Sequence, residues 1–197
     1  MVPELATQRH VIAGRLIDER LALILYDVLL LRHWRGEAKR DRQAPGADSH
    51  WGDATLDATL LVLKPEIERI SGCGLLPTYA YARLYFHGDD LPRHRDRAAC
   101  QIAATIHLGS SGGPAPPIWF APDVAITQRP GDAVVYLGDR IDHWREPFGG
   151  DSFGQLFLNY VFSDGERRDL IHDGRRGAFP PSLSPVPHAA RLPDGVP

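Results

Sequence analysis

The sequence lacks the features that would indicate a secreted or membrane-spanning protein. Only two cysteines, Cys73 and Cys100, occur in 197 residues, too few for a disulfide framework. No apolar run reaches the roughly 18 residues of a membrane span, since the stretch from residue 21 to residue 31 is short and interrupted by Asp27. The first residues also lack a basic stretch followed by an apolar run, so no secretory leader is expected. These features predict a cytoplasmic protein.

An excess of charge of either sign is also missing. The formal net charge is −3, from 22 basic and 25 acidic residues, and 43% of the residues are hydrophobic. This balance argues against nucleic acid or a membrane surface as the partner. A chain of this length can bury its own core. We therefore expect one domain over residues 1–177, followed by a Pro-rich tail over residues 178–197 that does not pack as regular structure.

The first third of the chain has helical spacing. Apolar residues recur three and four positions apart over Ile17–Trp34 and again over Ala54–Ile70. Pro65 lies inside the second segment and predicts a kink or a break there. The polar stretch Gly36–Gly52 between the two segments is predicted to be a loop. Residues 1–74 are thus expected to provide helical support.

From residue 75 the period changes to two. Tyr79, Tyr81, Arg83 and Tyr85 alternate with apolar residues, as in a strand. Shorter candidate strands follow, separated by turns rich in Gly, Pro and Asp, at residues 100–108, 118–120, 124–128, 133–136 and 154–162. This order predicts a mainly β fold with α support (α+β), an antiparallel sandwich or barrel over residues 75–165 that is braced by helices.

The main chemical signal is a pair of candidate metal ligands, His94 and Asp96. In an extended segment, residues two positions apart point to the same side, so this imidazole and this carboxylate can share one ion. A third ligand must come from elsewhere, and His143, which follows a predicted strand and turn, is the best placed. Two His and one Asp on one face of a divalent metal are typical of non-haem iron(II) sites. The alternative is that His94 and Asp96 are surface residues of a charged run.

The other histidines are weaker candidates. His107 falls in a predicted strand, from which it could point into the barrel or pack outside it. His50, His87 and His172 lie in polar, turn-like surroundings, and we expect them to be exposed to solvent.

A longer series of motifs surrounds the three ligands. It consists of Tyr85-x-x-Gly-x-x-Leu-x-x-His94-x-Asp96, a strand and a Gly-Gly turn, Arg129-Pro-Gly-Asp132, and His143. This series resembles the 2-oxoglutarate- and iron(II)-dependent dioxygenase superfamily, and within it the prolyl-4-hydroxylase-like branch. The resemblance implies a double-stranded β-helix (jelly roll) in which His94, Asp96 and His143 bind iron(II). It further implies 2-oxoglutarate and dioxygen as co-substrates, and hydroxylation of a C–H bond in a small molecule or an amino-acid side chain.

One position departs from the family's pattern. The resemblance implies a basic residue on the strand after the distal His, where it would pair with the far carboxylate of 2-oxoglutarate. Gln155 occupies roughly that position, and the sequence has no Lys or Arg between Arg145 and Arg167. A neutral amide can donate a hydrogen bond to a carboxylate but cannot balance its charge.

Three arginines could replace the missing base. Arg83 is the first choice, because it shares strand parity with Tyr85 and a cation inside a barrel is costly unless it meets an anion. Arg145 lies two residues after His143, and Arg97 is less easily aimed inward. Tyr85 matches the position where the family often places a phenol on the co-substrate. The alternatives are an internal ion pair or an outward orientation for Arg83, and a core aromatic for Tyr85.

Two other functions stay open from the sequence. Zinc or another metal on the same ligands would make the protein a hydrolase or an isomerase. A non-catalytic jelly-roll binding or sensing module would explain the missing base as a lost co-substrate site. The substrate cannot be read from the residues, but the loops Gly36–Gly52 and Ser110–Pro117 are expected to face it.

Overall fold

The computed structural model describes residues 1–175, 177–180 and 183. In this part of the chain the elements are α1 (Pro3–Gln8), β1 (His10–Ala13), α2 (Glu19–Trp34), β2 (Asp48–Trp51), α3 (Ala54–Ser71), β3 (Leu75–Phe86), β4 (Leu91–His94), β5 (Ile102–Ser111), β6 (Ile118–Phe120), β7 (Val124–Ile126), β8 (Ala133–Tyr136), β9 (His143–Arg145), β10 (Ser152–Phe162) and a 3₁₀ segment (Arg168–Gly174).

The strands form two antiparallel sheets. The larger has the order β1-β8-β5-β10-β3-β2 and the smaller the order β4-β9-β6-β7. Apart from the pairs β2–β3 and β6–β7, neighbouring strands are not consecutive in the sequence, as in a jelly roll. The predicted mainly β fold with helical support is therefore confirmed.

The two faces of β3 explain how the fold is held together. Ala80, Ala82 and Leu84 belong to the main core, where the larger sheet packs against buried leucines of α2 and α3. The intervening side chains, from Tyr79 to Tyr85, lie on the opposite face, toward the interior between the sheets. The helices thus cover the outside of the larger sheet and leave its inner face for the site.

Each of the two long helices begins at an aspartate that caps it. The Asp18 carboxylate accepts a hydrogen bond from the Arg20 amide (2.9 Å), and the Asp53 carboxylate accepts from Thr55 and Leu56. The helix α3 runs without interruption through Pro65, so the break considered at this position is not present.

The polar region between the helices is not entirely a loop. Residues 48–51 form β2, which pairs with β3 at the edge of the larger sheet. His50 lies on this strand and is buried, so its expected exposure was wrong, whereas His87 is exposed as expected. Four polar or aromatic residues in a row carry no alternating pattern, and only the pairing with β3 makes them a strand.

The described residues include no helix with the length and apolarity needed to cross a membrane. The expected Pro-rich tail over residues 178–197 falls largely outside the described residues, and the domain limits given above remain predictions.

Candidate metal centre and interior chamber

His94, Asp96 and His143 come together on the smaller sheet. His94 ends β4 and is the direct cross-strand partner of His143, which begins β9. One ligand atom from each of the three residues lies within 4.8 Å of the others. The Asp96 Oδ1 atom is 3.4 Å from Nε2 of His94 and 3.6 Å from Nε2 of His143. The side chains are therefore arranged as a metal would require.

Backbone carbonyls orient both imidazoles. Nδ1 of His94 lies 2.8 Å from the Pro92 carbonyl, and Nδ1 of His143 lies 3.1 Å from the Ile141 carbonyl. A carbonyl can only accept, so Nδ1 carries the proton and Nε2 keeps its lone pair for an ion. Burial lowers the pKa of His143, which also favours the neutral, metal-binding form. The residues thus fit a divalent metal.

Gly138 allows Asp96 to reach this position. The Asp96 amide donates to the Gly138 carbonyl at 2.9 Å. A Cβ at Gly138 would lie 2.5 Å from Oδ2 of Asp96 and 2.7 Å from the Cys100 carbonyl oxygen. Any larger residue would therefore displace the carboxylate.

Arg145 lies deeper in the interior, on the same strand as His143. The buried region that it shares with Tyr85, His107 and Gln155 is called the chamber below. Its side chain is 2% exposed, and it donates to the Pro116 carbonyl (2.7 Å) and to Oε1 of Gln128 (3.0 Å). Both acceptors are neutral, and its buried Nε has no hydrogen-bond partner among the described residues. Burial lowers the pKa of Arg145 to about 10. A fully buried guanidinium held only by neutral acceptors is a place for an anion.

Gln155, at the position where the resemblance implies a basic residue, is hydrogen-bonded to other side chains of the protein. Its Oε1 accepts from the Thr105 hydroxyl at 3.0 Å, and its Nε2 lies 3.1 Å from Nδ1 of His107. His107 therefore points into the interior, and burial together with the charge of Arg145 lowers its pKa to about 4. Because both ends of the Gln155 amide are engaged, this residue shapes the chamber and adds no charge to it.

Arg83 also points into the interior, but it already forms an ion pair with the Asp41 carboxylate. Its Nη2 atom donates to Oδ2 of Asp41 and to Oε1 of Gln43, each at 2.7 Å. Burial alone would raise the pKa of Asp41, but hydrogen bonds from Tyr81, Ala44 and Arg83 hold it well below its usual value. The internal ion pair considered for Arg83 is therefore present.

Tyr85 lies between the two arginines. Its ring stacks on Phe153, with centroids 4.5 Å apart, and it is fully buried. Nη1 of Arg83 is 3.4 Å from the Tyr85 hydroxyl. This hydroxyl is also close enough to Arg145 to raise the pKa of Arg145, against the effect of burial. Tyr85 is thus both a core aromatic and a phenol directed at the chamber.

A cavity of about 420 Å³ opens beside the metal ligands. Asp41, Gln43 and Trp51 line it, so the 36–52 region reaches the cavity, whereas no residue of 110–117 is among the described lining residues. That the 36–52 region faces the substrate stays a prediction. Sequence reasoning missed Asp41, whose carboxylate accepts from the amides of Gln43 and Ala44 in an Asx turn. Its Asp-x-Gln-Ala context could have indicated such a turn, but not its pairing with Arg83.

Comparison with known proteins gave structural matches only. No protein-family model matches the sequence, and no curated protein matches it.

Three solved structures with similar folds come from different organisms. A prolyl-4-hydroxylase from Pseudomonas putida superposes with a TM-score of 0.65 at 20% identity, over 79% of this chain and 94% of that one. A prolyl hydroxylase from Trichoplax adhaerens, solved with a hypoxia inducible factor peptide fragment, gives 0.64 at 15% identity, over 81% and 86%. HygX from Streptomyces hygroscopicus, solved with nickel and 2-oxoglutarate bound, gives 0.58 at 10% identity, over 86% and 94%. The chain therefore shares the fold of these proteins.

Proposed function

We propose that this protein is an iron(II)- and 2-oxoglutarate-dependent oxygenase that hydroxylates a C–H bond of a small molecule or an amino-acid side chain. The observation that carries the proposal is the triad of His94, Asp96 and His143, with both imidazoles oriented by carbonyls and an open cavity alongside. The likeness in fold to oxygenases, including one solved with 2-oxoglutarate, supports it.

The chain's own residues would hold and enclose the reactants. Iron(II), when bound, would supply dioxygen activation coupled to the conversion of 2-oxoglutarate to succinate and carbon dioxide. The triad would hold the ion from one side and leave the cavity side open to the co-substrates. The buried aromatic Tyr136, whose ring centroid is 4.8 Å from that of His143, would keep water away from this side of the ligands.

Arg145 is our choice for the residue that binds the far carboxylate of 2-oxoglutarate. Two observations support it over Arg83: Arg145 has neutral partners only, and its Nε is unpaired, whereas Arg83 is neutralised by Asp41. A guanidinium can bind a carboxylate through two parallel hydrogen bonds. The Tyr85 hydroxyl would donate a further hydrogen bond, and Gln155 would fix the chamber wall through Thr105 and His107.

A cytoplasmic location is part of the proposal. It is supported by the two cysteines, Cys73 and Cys100, both of which are free thiols.

Succinate formation tests the function. We expect the iron(II)-loaded protein to convert 2-oxoglutarate to succinate in air, slowly without a primary substrate, and not at all under argon. His94→Ala and Asp96→Ala should each reduce metal binding at least about a hundredfold, because the metal loses a direct ligand. Both variants should retain the circular dichroism spectrum of the parent.

Other results would overturn the proposal. Anaerobic calorimetry that finds no 2-oxoglutarate binding to the iron(II) form, together with no succinate, would favour a non-catalytic module. Hydrolysis or isomerisation supported by zinc but not by iron would favour the second alternative. Tight iron binding by His94→Ala would rule out the triad as the metal site.

A further inference from the structure

Among the described residues that line the cavity, one arginine has no partner. Arg83 is paired with Asp41, and Arg97 donates two hydrogen bonds of 2.6 Å to the Asp173 carboxylate. Arg42 also lines the cavity, and its side chain makes no ion pair or hydrogen bond with the residues that the structure describes. The unbalanced charge of the cavity mouth is therefore positive.

The position of Arg42 is fixed by its two neighbours. Oδ2 of Asp41 and Oε1 of Gln43 both bind the same Nη2 atom of Arg83, at 2.7 Å. Asp41 also accepts hydrogen bonds from the Ser49 and Tyr81 hydroxyls. The backbone of Arg42 is thus tied to the barrel on both sides, which keeps its exposed side chain at the mouth of the cavity.

No carboxylate among the described residues that line the cavity is free to bind a cation. Asp41 accepts hydrogen bonds from its own turn, from Ser49, from Tyr81 and from Arg83. Asp96 belongs to the metal centre. A substrate carrying an ammonium group would therefore find no free carboxylate among these lining residues.

The aromatic side chains of the cavity do not form a cage for a cation either. Arginines already lie over three of the rings, with guanidinium carbons 4.3 Å from the centroid of Tyr79, 5.1 Å from that of Tyr81 and 5.0 Å from that of Trp51. A cation binds an aromatic ring through its electron-rich face. The side chains of Tyr79, Tyr81, Trp51 and Phe157 instead give the cavity an aromatic lining for the body of a substrate.

We infer that the substrate is an organic carboxylate with an aromatic or aliphatic body, and that Arg42 binds its carboxylate. This inference rests on the proposed function, because it assigns the substrate class of the same site. Arg42 is here a specificity residue at the mouth, separate from the interior Arg145.

A matched series of three probes tests the charge preference. The compounds 4-phenylbutyrate, 4-phenylbutanamide and 4-phenylbutylamine share one body and differ in the charge of the head group. Binding is measured by anaerobic calorimetry on the full chain loaded with iron(II), with and without saturating 2-oxoglutarate. We expect the butyrate to bind at least about tenfold more tightly than the amide, because a hydrogen bond between charged groups contributes more binding free energy than one to a neutral group. The amine should bind most weakly.

Variants on one loop separate the role of Arg42 from general charge. Arg42→Gln should abolish the preference for the butyrate, and Arg42→Lys should retain part of it. Arg40→Gln makes the same change of charge on the same loop, outside the cavity lining, and should leave the preference intact. An unchanged preference in Arg42→Gln would overturn the inference, as would butyrate binding no tighter than amide binding.

The two proposals fail in different ways. The butyrate could compete with 2-oxoglutarate, and Arg145→Gln could remove that competition. This result would place the probe in the chamber and overturn the role of Arg42. Loss of the preference in Arg42→Gln, in a protein that makes no succinate, would support the carboxylate site and reject the oxygenase.

Discussion

At the scale of single residues, two buried arginines of the same interior differ in their partners. Arg83 meets the Asp41 carboxylate, so its charge is balanced within the protein. Arg145 meets a carbonyl and an amide, and its Nε has no hydrogen-bond partner in the described part of the chain. A buried charge is tolerated when an opposite charge accompanies it, whether from the chain or from a ligand. The choice of Arg145 as the carboxylate partner follows from this difference and not from its position in the sequence.

Arg145→Gln should weaken 2-oxoglutarate binding by roughly 30-fold or more, about 2 kcal/mol, because a buried charge pair is lost. Iron(II) binding should change little. The melting temperature without 2-oxoglutarate should not fall, since the variant removes a buried charge that has no counter-charge in the chain. Calorimetry and thermal denaturation measure these effects. Arg83→Gln is the matched comparison, and a larger loss of 2-oxoglutarate affinity in that variant would make Arg83 the carboxylate partner.

At the scale of elements, two glycines set how closely α2 approaches the larger sheet. Gly109 and Gly154 are cross-strand partners on β5 and β10, and the ring of Tyr26 lies against both. A Cβ would come within 2.8 Å of Tyr26 at Gly109 and within 2.9 Å at Gly154. The Tyr26 hydroxyl is 2.7 Å from the Ser152 hydroxyl, which holds the helix to β10. Since β10 also carries Gln155, this packing positions the chamber wall.

Gly154→Ala should destabilise the protein by about 1–3 kcal/mol, because the added methyl group overpacks a buried contact. Urea unfolding, followed by circular dichroism, measures the change. Gly149→Ala is the matched control, since a Cβ there meets nothing within 4 Å. It should be neutral or slightly stabilising. Equal stability of the two variants would show that the contact with Tyr26 yields without cost.

At the scale of the whole molecule, the site is assembled from both sheets and from the segment after β10. The smaller sheet carries the metal ligands, and the larger sheet supplies the aromatic wall of the cavity. The segment after β10 returns to the mouth, where Asp173 binds Arg97 and Arg175 binds Asp57 with bonds of 2.6 and 3.0 Å. A metal ion joining β4 to β9 should therefore stabilise the folded molecule as a whole.

A divalent metal at a hundred times its dissociation constant should stabilise the fold by about 2.7 kcal/mol through linkage. In a chain of this size, this corresponds to a rise in melting temperature of roughly 5–10 °C. Manganese(II), which is inert toward dioxygen in this setting, is the ion to add to chelator-treated protein. Asp96→Ala should lose the shift. A shift of the same size in that variant would mean that the metal binds elsewhere.

Much of the fold and of the metal centre was predictable because its determinants are local. The periodicity of three and four residues gave α2 and α3, and the alternation around Tyr81 gave β3. The spacing of His94 and Asp96 predicted two ligands on one side. The short β2 and the burial of His50 were not predictable, because they depend on pairing with a strand thirty residues away.

The sequence by itself determined the mainly β fold class and the pairing of His94 with Asp96, because periodicity and short spacing are properties of neighbouring residues, and it offered His143 as the third ligand. It placed Arg83 ahead of Arg145 as the carboxylate partner because of the strand parity of Arg83 with Tyr85, but it could not show which groups surround either side chain. Only the tertiary structure decided that Asp41 lies against Arg83 and that Gln128 and Pro116 lie against Arg145. The physical reason is that the cost of a buried charge depends on which groups surround it in space.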